Sequence, residues 1–519
     1  MKRSFPRENL FSADQIKMVL TTILFVLLFF LPAQKSCGAD KVKLWKRYEN
    51  RFINQSWQGN PFDIVLYVSF TAPSGRVLNQ FGFYAGDNIW KVYFMPDETG
   101  KWTYETHCGD PQLDGKSGNF MCVKSDLDPM LTASGKHWEL KGNRGDFPVI
   151  WNPTVPDGKH WGFRGRKVSD PVVQNALHYA ADTVGARLLG FGEIVLAKTD
   201  WARDWPQSAL PYVTGKEGEE FFFPFWDQLN ARLDAARDLN MGAYIMLYCD
   251  DAMAPDRFGI TPRSAAEMRL FRYVVARLAC YPHILWDTGI DISEYRSNDW
   301  INWFSIWFRQ HDPWHHPVGS RSGGGSGGIM PDSGTYYSVG GASLPERSEM
   351  LRLRKMYDVP VAYTDHWRIF IHRGNWTNQK IRIAIWRCAL SGAPALFPDY
   401  NQGKPQPSLI REGARYIGIA TRFFRNDLHS DISDLAPHDD LIVTGDHVIM
   451  AASPGTEYVV YDENGGEMAV DLSASRRSFH VIWLDPRTGR KINQKKIKGG
   501  ATRHFISPSA GKDWVLHLY

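Results

Sequence analysis

From Gly142 to about Phe397 the chain alternates short apolar runs with longer segments of helical period, and this alternation restricts its possible folds more than any other feature. The runs are Phe147–Trp151, Ala186–Phe191, Gly242–Tyr248, His283–Trp286, Pro317–Ser320, Thr335–Ser338, Val359–Tyr363 and Ala393–Phe397. Continuous apolar runs of this length read as strands buried on both faces, as parallel strands joined by helical crossovers are. The clearest helical segment is Pro262–Leu278, where Met268, Phe271, Val275 and Leu278 share one stripe. Thr261 is its expected N-cap and Pro262 its first helical residue. Eight strand–helix repeats predict a (β/α)8 TIM barrel rather than an open doubly wound sheet. No glycine-rich fingerprint follows the first strand, which argues against a dinucleotide site.

The flanks read differently. Phe62–Phe70, Ile89–Phe94 and Trp102–Thr106 are short alternating strands separated by turns such as Pro96-Asp-Glu-Thr-Gly100, the spacing of a β-sandwich. Short strands return at Val448–Ala452, Tyr458–Tyr461, Phe479–Trp483 and Trp514–Leu518. The predicted fold class is therefore α/β: a (β/α)8 barrel over 126–425, flanked by N-terminal (40–125) and C-terminal (426–519) β-sandwich domains. A chain of 519 residues has room for these three.

A net charge of +4 over this length argues against a nucleic-acid partner. The 20 Trp are more informative, because an exposed indole ring is a stacking platform for a sugar face. Lys2, Arg3, Arg7 and Lys17 precede an apolar run from Met18 to Leu31 and the small residues Cys37-Gly38-Ala39. Residues 1–39 thus read as a signal peptide cleaved near Ala39, leaving a secreted or periplasmic protein with no membrane span; an uncleaved anchor is the alternative. In an oxidising compartment Cys108 and Cys122, flanking a Gly/Asp turn, are candidates for a disulfide, whereas Cys249, Cys280 and Cys388 read as buried thiols. The glycine run Gly319–Gly328 lacks the Gly-Lys-Ser/Thr ending of a phosphate cradle and reads as a loop, with Arg321 able to reach a substrate.

Barrel enzymes do their chemistry at the C-terminal ends of the strands. The fourth run leads into Trp286-Asp-Thr-Gly-Ile-Asp-Ile-Ser-Glu294 and so delivers Asp291 and Glu294 there; the seventh leads into Tyr363-Thr-Asp-His-Trp-Arg368 and delivers Asp365. Two carboxyl groups facing each other across one bond are what glycoside cleavage requires, about 5–5.5 Å apart for retention and about 6.5–9.5 Å for inversion. Asp291 and Asp365 are the candidate catalytic pair, with Glu294 as the alternative acid. Glu193, Asp250, Glu294, Arg321, Tyr363, His366 and Trp367 are candidate substrate-binding residues, and Trp201 and Trp205 are expected at the substrate rather than in the core. Asp250, Asp251 and Asp291 lack the spacing of a metal site, so neither a metal nor another cofactor is expected.

The Trp286-x-x-Gly289-x-Asp291 frame resembles the strand 4 motif Trp-x-x-Gly-Asn-Glu of retaining (β/α)8 glycosidases, whose Glu is the acid/base. This chain departs from it at Ile290 and Asp291. The stretch Ile89–Tyr104 resembles the immunoglobulin-like module that precedes secreted polysaccharide-degrading barrels. The run Ala451–Leu518, with Trp483-Leu-Asp-Pro-Arg-Thr-Gly489, resembles the collagen-binding-like β-sandwich at the C-terminus of apiosidase-like glycosidases. The resemblance implies a secreted, retaining glycoside hydrolase acting on a plant or algal polysaccharide or its oligosaccharides. Two Asp in place of two Glu could also open the gap toward inversion, or leave a protein that binds carbohydrate without cutting it.

Overall fold

The structure, a computed structural model, describes residues 40–142, 145–153, 163–194, 196–198, 202–249, 254–321, 329–339, 346–364, 377–393, 396–397 and 407–519. The expected signal peptide, Trp201, Asp250, Asp251, Asp365, His366 and Trp367 lie outside these residues, and Glu193 is described in its backbone alone. No helix among the described residues is long and apolar enough to cross a membrane.

Each of the eight expected runs overlaps a parallel strand: β1 (Ile150–Trp151), β2 (Leu188–Glu193), β3 (Gly242–Cys249), β4 (Ile284–Ile290), β5 (Val318–Gly319), β6 (Tyr337–Val339), β7 (Val361–Tyr363) and β8 (Leu396–Phe397). Six of them form one sheet in the order β5-β4-β3-β2-β1-β8, and β6 pairs with β7 in a second. Every residue of β3 and of β4 is buried, as the continuous apolar runs require. Gly242 begins β3 because a Cβ there would stand 1.9 Å from the His283 carbonyl oxygen of the neighbouring strand.

Among the described residues six helices intervene, α1 (Pro171–His178), α2 (Phe223–Asp238), α3 (Ala265–Leu278), α4 (Asn298–His311), α5 (Arg347–Met356) and α6 (Asn378–Leu390), and α7 (Pro407–Arg422) follows β8. The resulting class is mixed α/β. Helix α3 starts three residues later than its sequence suggests. Arg263 adopts φ 60, which interrupts the helical path, and Ser264 is the N-cap, its hydroxyl accepting the Glu267 N–H at 3.2 Å.

The N-terminal strands form one seven-stranded sheet that curls nearly closed, with Tyr48 and Phe120 stacked at 4.1 Å and Phe70 and Phe94 at 3.8 Å in its core. The segment expected as a strand from Phe62 begins its strand only at Leu66, because Asn60 caps a short turn over Pro61–Asp63. This sheet packs on α2 and α3. Arg269 donates from Nε and Nη2 to the two carboxylate oxygens of Asp63, both at 2.9 Å, and Arg47 grips Asp234 at 3.0 and 2.6 Å.

The expected Cys108–Cys122 disulfide does not form; both are free thiols. Register explains it. In the hairpin of Gly100–Cys108 and Ser117–Val123, Cys122 lies opposite Gly100, at the far end of the strand from Cys108. Eight residues of strand separate the two by roughly 26 Å, well beyond the reach of a disulfide. Burial pushes the Cys122 thiol up to about 12, so it stays protonated. Cys249, Cys280 and Cys388 are buried thiols.

The C-terminal residues form antiparallel sheets of six and three strands around Met450, Tyr458, Val460, Phe479, Trp483 and Leu516. The strand Glu457–Asp462 is buried on both sides: Tyr458 and Val460 face this core, while Val459 and Tyr461 join the core of the α/β part, where Tyr461 stacks on Trp386 of α6 at 5.7 Å. Three arginines of α5 and α6 secure the contact by pairing twofold with carboxylates: Arg347 with Asp439 at 2.7 and 2.8 Å, Arg382 with Asp513 at 2.7 and 2.8 Å, and Arg387 with Glu463 at 2.7 and 3.0 Å.

Candidate active site

Strand β4 organises the site. Its side chains alternate, so Leu285 joins an inner apolar cluster with Ile150, Leu188, Tyr244, Tyr336 and Ala362, whereas Trp286 packs on the helical side. Asp287 comes next and is 1% exposed. Its Oδ1 accepts the N–H groups of Gly289 and Arg321, each at 3.1 Å, and its Oδ2 lies 3.1 Å from the Tyr336 hydroxyl. One carboxyl group therefore ties together β4, the end of β5 and the start of β6. Burial pushes the Asp287 carboxyl above its ordinary range, against the opposing pull of these hydrogen bonds and of the Arg321 charge. Burial beside Asp287 likewise pushes the Tyr336 phenol well up.

Two residues beyond Asp287 the strand bends. Gly289 has φ +135, and a Cβ there would meet the Tyr248 carbonyl oxygen at 2.1 Å, so glycine alone permits the close approach of β3 and β4. Ile290 is buried, 8% exposed, and Asp291 follows in the left-handed conformation at φ 50 and ψ 33. Asp291 is half-buried at the C-terminal end of β4, where the sequence places it. Its carbonyl accepts the Glu294 N–H at 2.9 Å, and the Glu294 side chain is exposed one short turn further on.

A second buried carboxyl anchors this turn from outside. Glu267 of α3 accepts the Tyr248 hydroxyl at 2.8 Å and the Trp300 indole N–H at 3.1 Å, and lies 3.6 Å from Arg296, two residues beyond Glu294. Burial pushes its pKa up, with Arg296 among the groups pulling it back. Because it sits behind β3, Glu267 supports the loop that carries Asp291.

Other expected site residues have different surroundings. Arg321 follows β5 and is 3% exposed, with Nη1 3.8 Å from the Met246 sulfur. Tyr363 faces away from the interior: it is 4% exposed and packs in the outer core, while its neighbour Ala362 faces inward. The reason is strand alternation, which gives the inward position after Ala362 to Thr364, hydrogen-bonded to Ser338. Trp205, expected at the substrate, is 5% exposed within the inner apolar cluster, with the Arg164 guanidinium 5.4 Å from its ring. Glu193 pairs through its backbone with Met246 beyond a register shift at the end of β2. Among the described residues no group of three His, Cys, Asp or Glu could hold a metal ion.

Asp287 and Tyr336 were not among the expected site residues. The available signal was a lone charge inside an apolar run, since an acidic residue is seldom fully buried without partners.

Two parts of the chain match family models. Residues 41–109 match a "Domain of unknown function (DUF5060)", and residues 437–519 match the "Putative collagen-binding domain of a collagenase". No curated protein matches. Among solved structures, the chain is similar to "a putative glycoside hydrolase from Bacteroides vulgatus ATCC 8482", at 18% identity and TM-score 0.75, over 92% of this chain and 99% of that one. It is also similar to "a glycoside hydrolase family 5 from Bacteroides vulgatus ATCC 8482", at 12% identity and TM-score 0.59, over 75% and 92% of the two chains. A third structure, named "Glycoside hydrolase", matches at 12% identity and TM-score 0.58, over 75% of this chain and 96% of that one. At these identities the likeness is one of fold.

Proposed function

We propose that the eight parallel strands close into a (β/α)8 barrel and that this protein is a glycoside hydrolase, secreted after loss of residues 1–39. Its substrate would be a plant or algal polysaccharide or its oligosaccharides. Continuation of the six-stranded sheet into β6 is supported by two hydrogen bonds between β5 and the residue that leads into β6: the Thr335 N–H donates to the Val318 carbonyl at 2.8 Å, and the Val318 N–H to the Thr335 hydroxyl at 2.9 Å. The flanking parts are proposed as accessory immunoglobulin-like and collagen-binding-like modules. The observation that carries the functional reading is Asp291 at the C-terminal end of β4, on a turn braced from beneath by Asp287 and from outside by Glu267.

In this reading Asp291 donates its proton to the leaving oxygen and Asp365 attacks the anomeric carbon, the retaining scheme. Glu193, Asp250, Glu294, Arg321, His366 and Trp367 contribute to substrate binding. The experiment is reducing-sugar release from a panel of plant and algal polysaccharides, comparing the wild type with Asp291→Asn and Asp365→Asn. Release by the wild type and loss in both variants support the assignment, and proton NMR of the first-formed anomer then tests retention. Binding without release by the wild type would make the protein a carbohydrate-binding scaffold, a reading motivated by the buried Ile290 that replaces the motif Asn. Full activity in both variants would discard the Asp pair.

A further inference from the structure

Helices α5 and α6 carry four buried or largely buried arginines, and three of them hold the carboxylates of Asp439, Asp513 and Glu463. The fourth, Arg354, is 9% exposed and, among the described residues, has no carboxylate within ion-pair distance. Its Nη1 donates to the Lys136 carbonyl at 2.7 Å, and its Nη2 lies 3.2 Å from Nε2 of His137. Both partners are neutral acceptors, since burial and the Arg354 charge hold the His137 pKa below its ordinary value. A guanidinium has five N–H donors, so these two contacts leave it under-used, and a buried cation without a counter-charge is costly.

Arg354 lines a partly open cavity together with Lys136, His137 and Trp138. Trp138 is 3% exposed and turns its ring to the other face of the strand from His137, onto Tyr336 at 5.7 Å. The one carboxylate on the cavity wall is already neutralised: Asp146 receives Arg187 at 2.9 Å and Arg425 at 3.2 Å. Nearby Asp431 accepts the N–H groups of Gly145 and Ser433. Lys136–Trp138, Asp146 and Phe147 precede the N-terminal end of β1, Arg354 that of β7, and Ala389, Leu390 and Gly392 that of β8, so the cavity lies at the opposite end of the strands from Asp291.

We propose that this cavity is a binding site for a small anion, a carboxylate or an inorganic oxoanion, held by the Arg354 guanidinium beside the Lys136 ammonium. The anion would complete on Arg354 what Asp439, Asp513 and Glu463 do for its three neighbours. It would also join the strand His137–Leu140, helix α5 and the start of the C-terminal sheets, whose Pro437 lines the same cavity.

The test is thermal unfolding of the full chain titrated with sodium acetate or sodium sulfate, at ionic strength held constant with sodium fluoride. The expected result is a saturable rise in Tm for the wild type, with the half-saturating concentration raised at least tenfold in Arg354→Gln. Arg352→Gln, on the exposed side of the same helix, should behave as wild type, since its guanidinium pairs with Glu349. The anion that saturates at the lower concentration identifies carboxylate or oxoanion as the preferred class. No saturable rise with either anion, or the same rise in Arg354→Gln, overturns the proposal. Should Arg354→Gln fail to fold, Arg354→Lys decides: weaker saturation supports the site, and unchanged saturation removes it.

Discussion

The Tyr336 hydroxyl lies 3.1 Å from Oδ2 of Asp287 and 2.9 Å from the Trp286 carbonyl, two oxygens of adjacent residues on β4. A phenol has one proton to give. If Tyr336 donates to the carbonyl, a protonated Asp287 donates in turn to the Tyr336 oxygen, and all three oxygens are satisfied. Burial favours that protonated form, in line with the raised pKa of Asp287.

Stability should therefore depend on Asp287 with a definite sign. A carboxyl whose pKa is higher in the folded than in the unfolded chain contributes fully below the unfolded value of about 3.9, and its contribution is lost as pH rises through the folded value. Denaturant unfolding between about pH 4 and pH 8 should show the wild type losing stability relative to Asp287→Asn, which preserves shape without a charge. Parallel curves would mean that Asp287 titrates normally. Asp287→Ala strands the Gly289 and Arg321 N–H groups and should cost about 2–5 kcal/mol.

Asp146 has the opposite sign. Clamped between Arg187 and Arg425, its carboxyl is held well below the usual range despite burial. Its contribution is present above the unfolded pKa and is lost as pH falls through the folded one. Asp146→Asn should lower stability by about 3–5 kcal/mol at neutral pH, because it leaves the buried Arg187 and the half-buried Arg425 short of a partner. The acid limb of its pH–stability curve should also be shallower than that of the wild type, and equal slopes would contradict this.

At the C-terminal sheets, Arg382 and Asp513 are both buried and Asp513 also accepts the Tyr461 hydroxyl at 3.1 Å. Arg382→Met leaves that carboxylate unpaired and should cost about 3–5 kcal/mol. The double variant Arg382→Met with Asp513→Leu should recover part of the loss. A double-mutant cycle with no coupling would show that the pair contributes nothing.

For Asp291 the expected effect depends on the leaving group. An acid matters most when the departing oxygen is basic, so Asp291→Asn should slow natural glycosides by about 10²–10⁴-fold and activated aryl glycosides far less. An equal loss on both would assign Asp291 to binding rather than to proton donation.

What the sequence determined by itself is the succession of elements. Eight continuous apolar runs became eight parallel strands because a strand buried on both faces leaves no room for alternation, and that signal is local. The position of Asp291 at the end of β4 was legible for the same reason: it is the first charge after the strand's last buried residue. The tertiary structure decided what depends on neighbours distant in the chain. Register, invisible along one strand, carried Cys108 and Cys122 to opposite ends of a hairpin. Strand alternation turned Tyr363 outward, and the interior packing took Trp205 from the expected substrate face into the core. Asp287 gained its role only when β5 and β6 brought the Arg321 N–H and the Tyr336 hydroxyl to it. Arg354 differs from Arg347, Arg382 and Arg387 only because no carboxylate of the C-terminal sheets comes within its reach, and an ion pair forms by distance in space, which the order of residues does not carry.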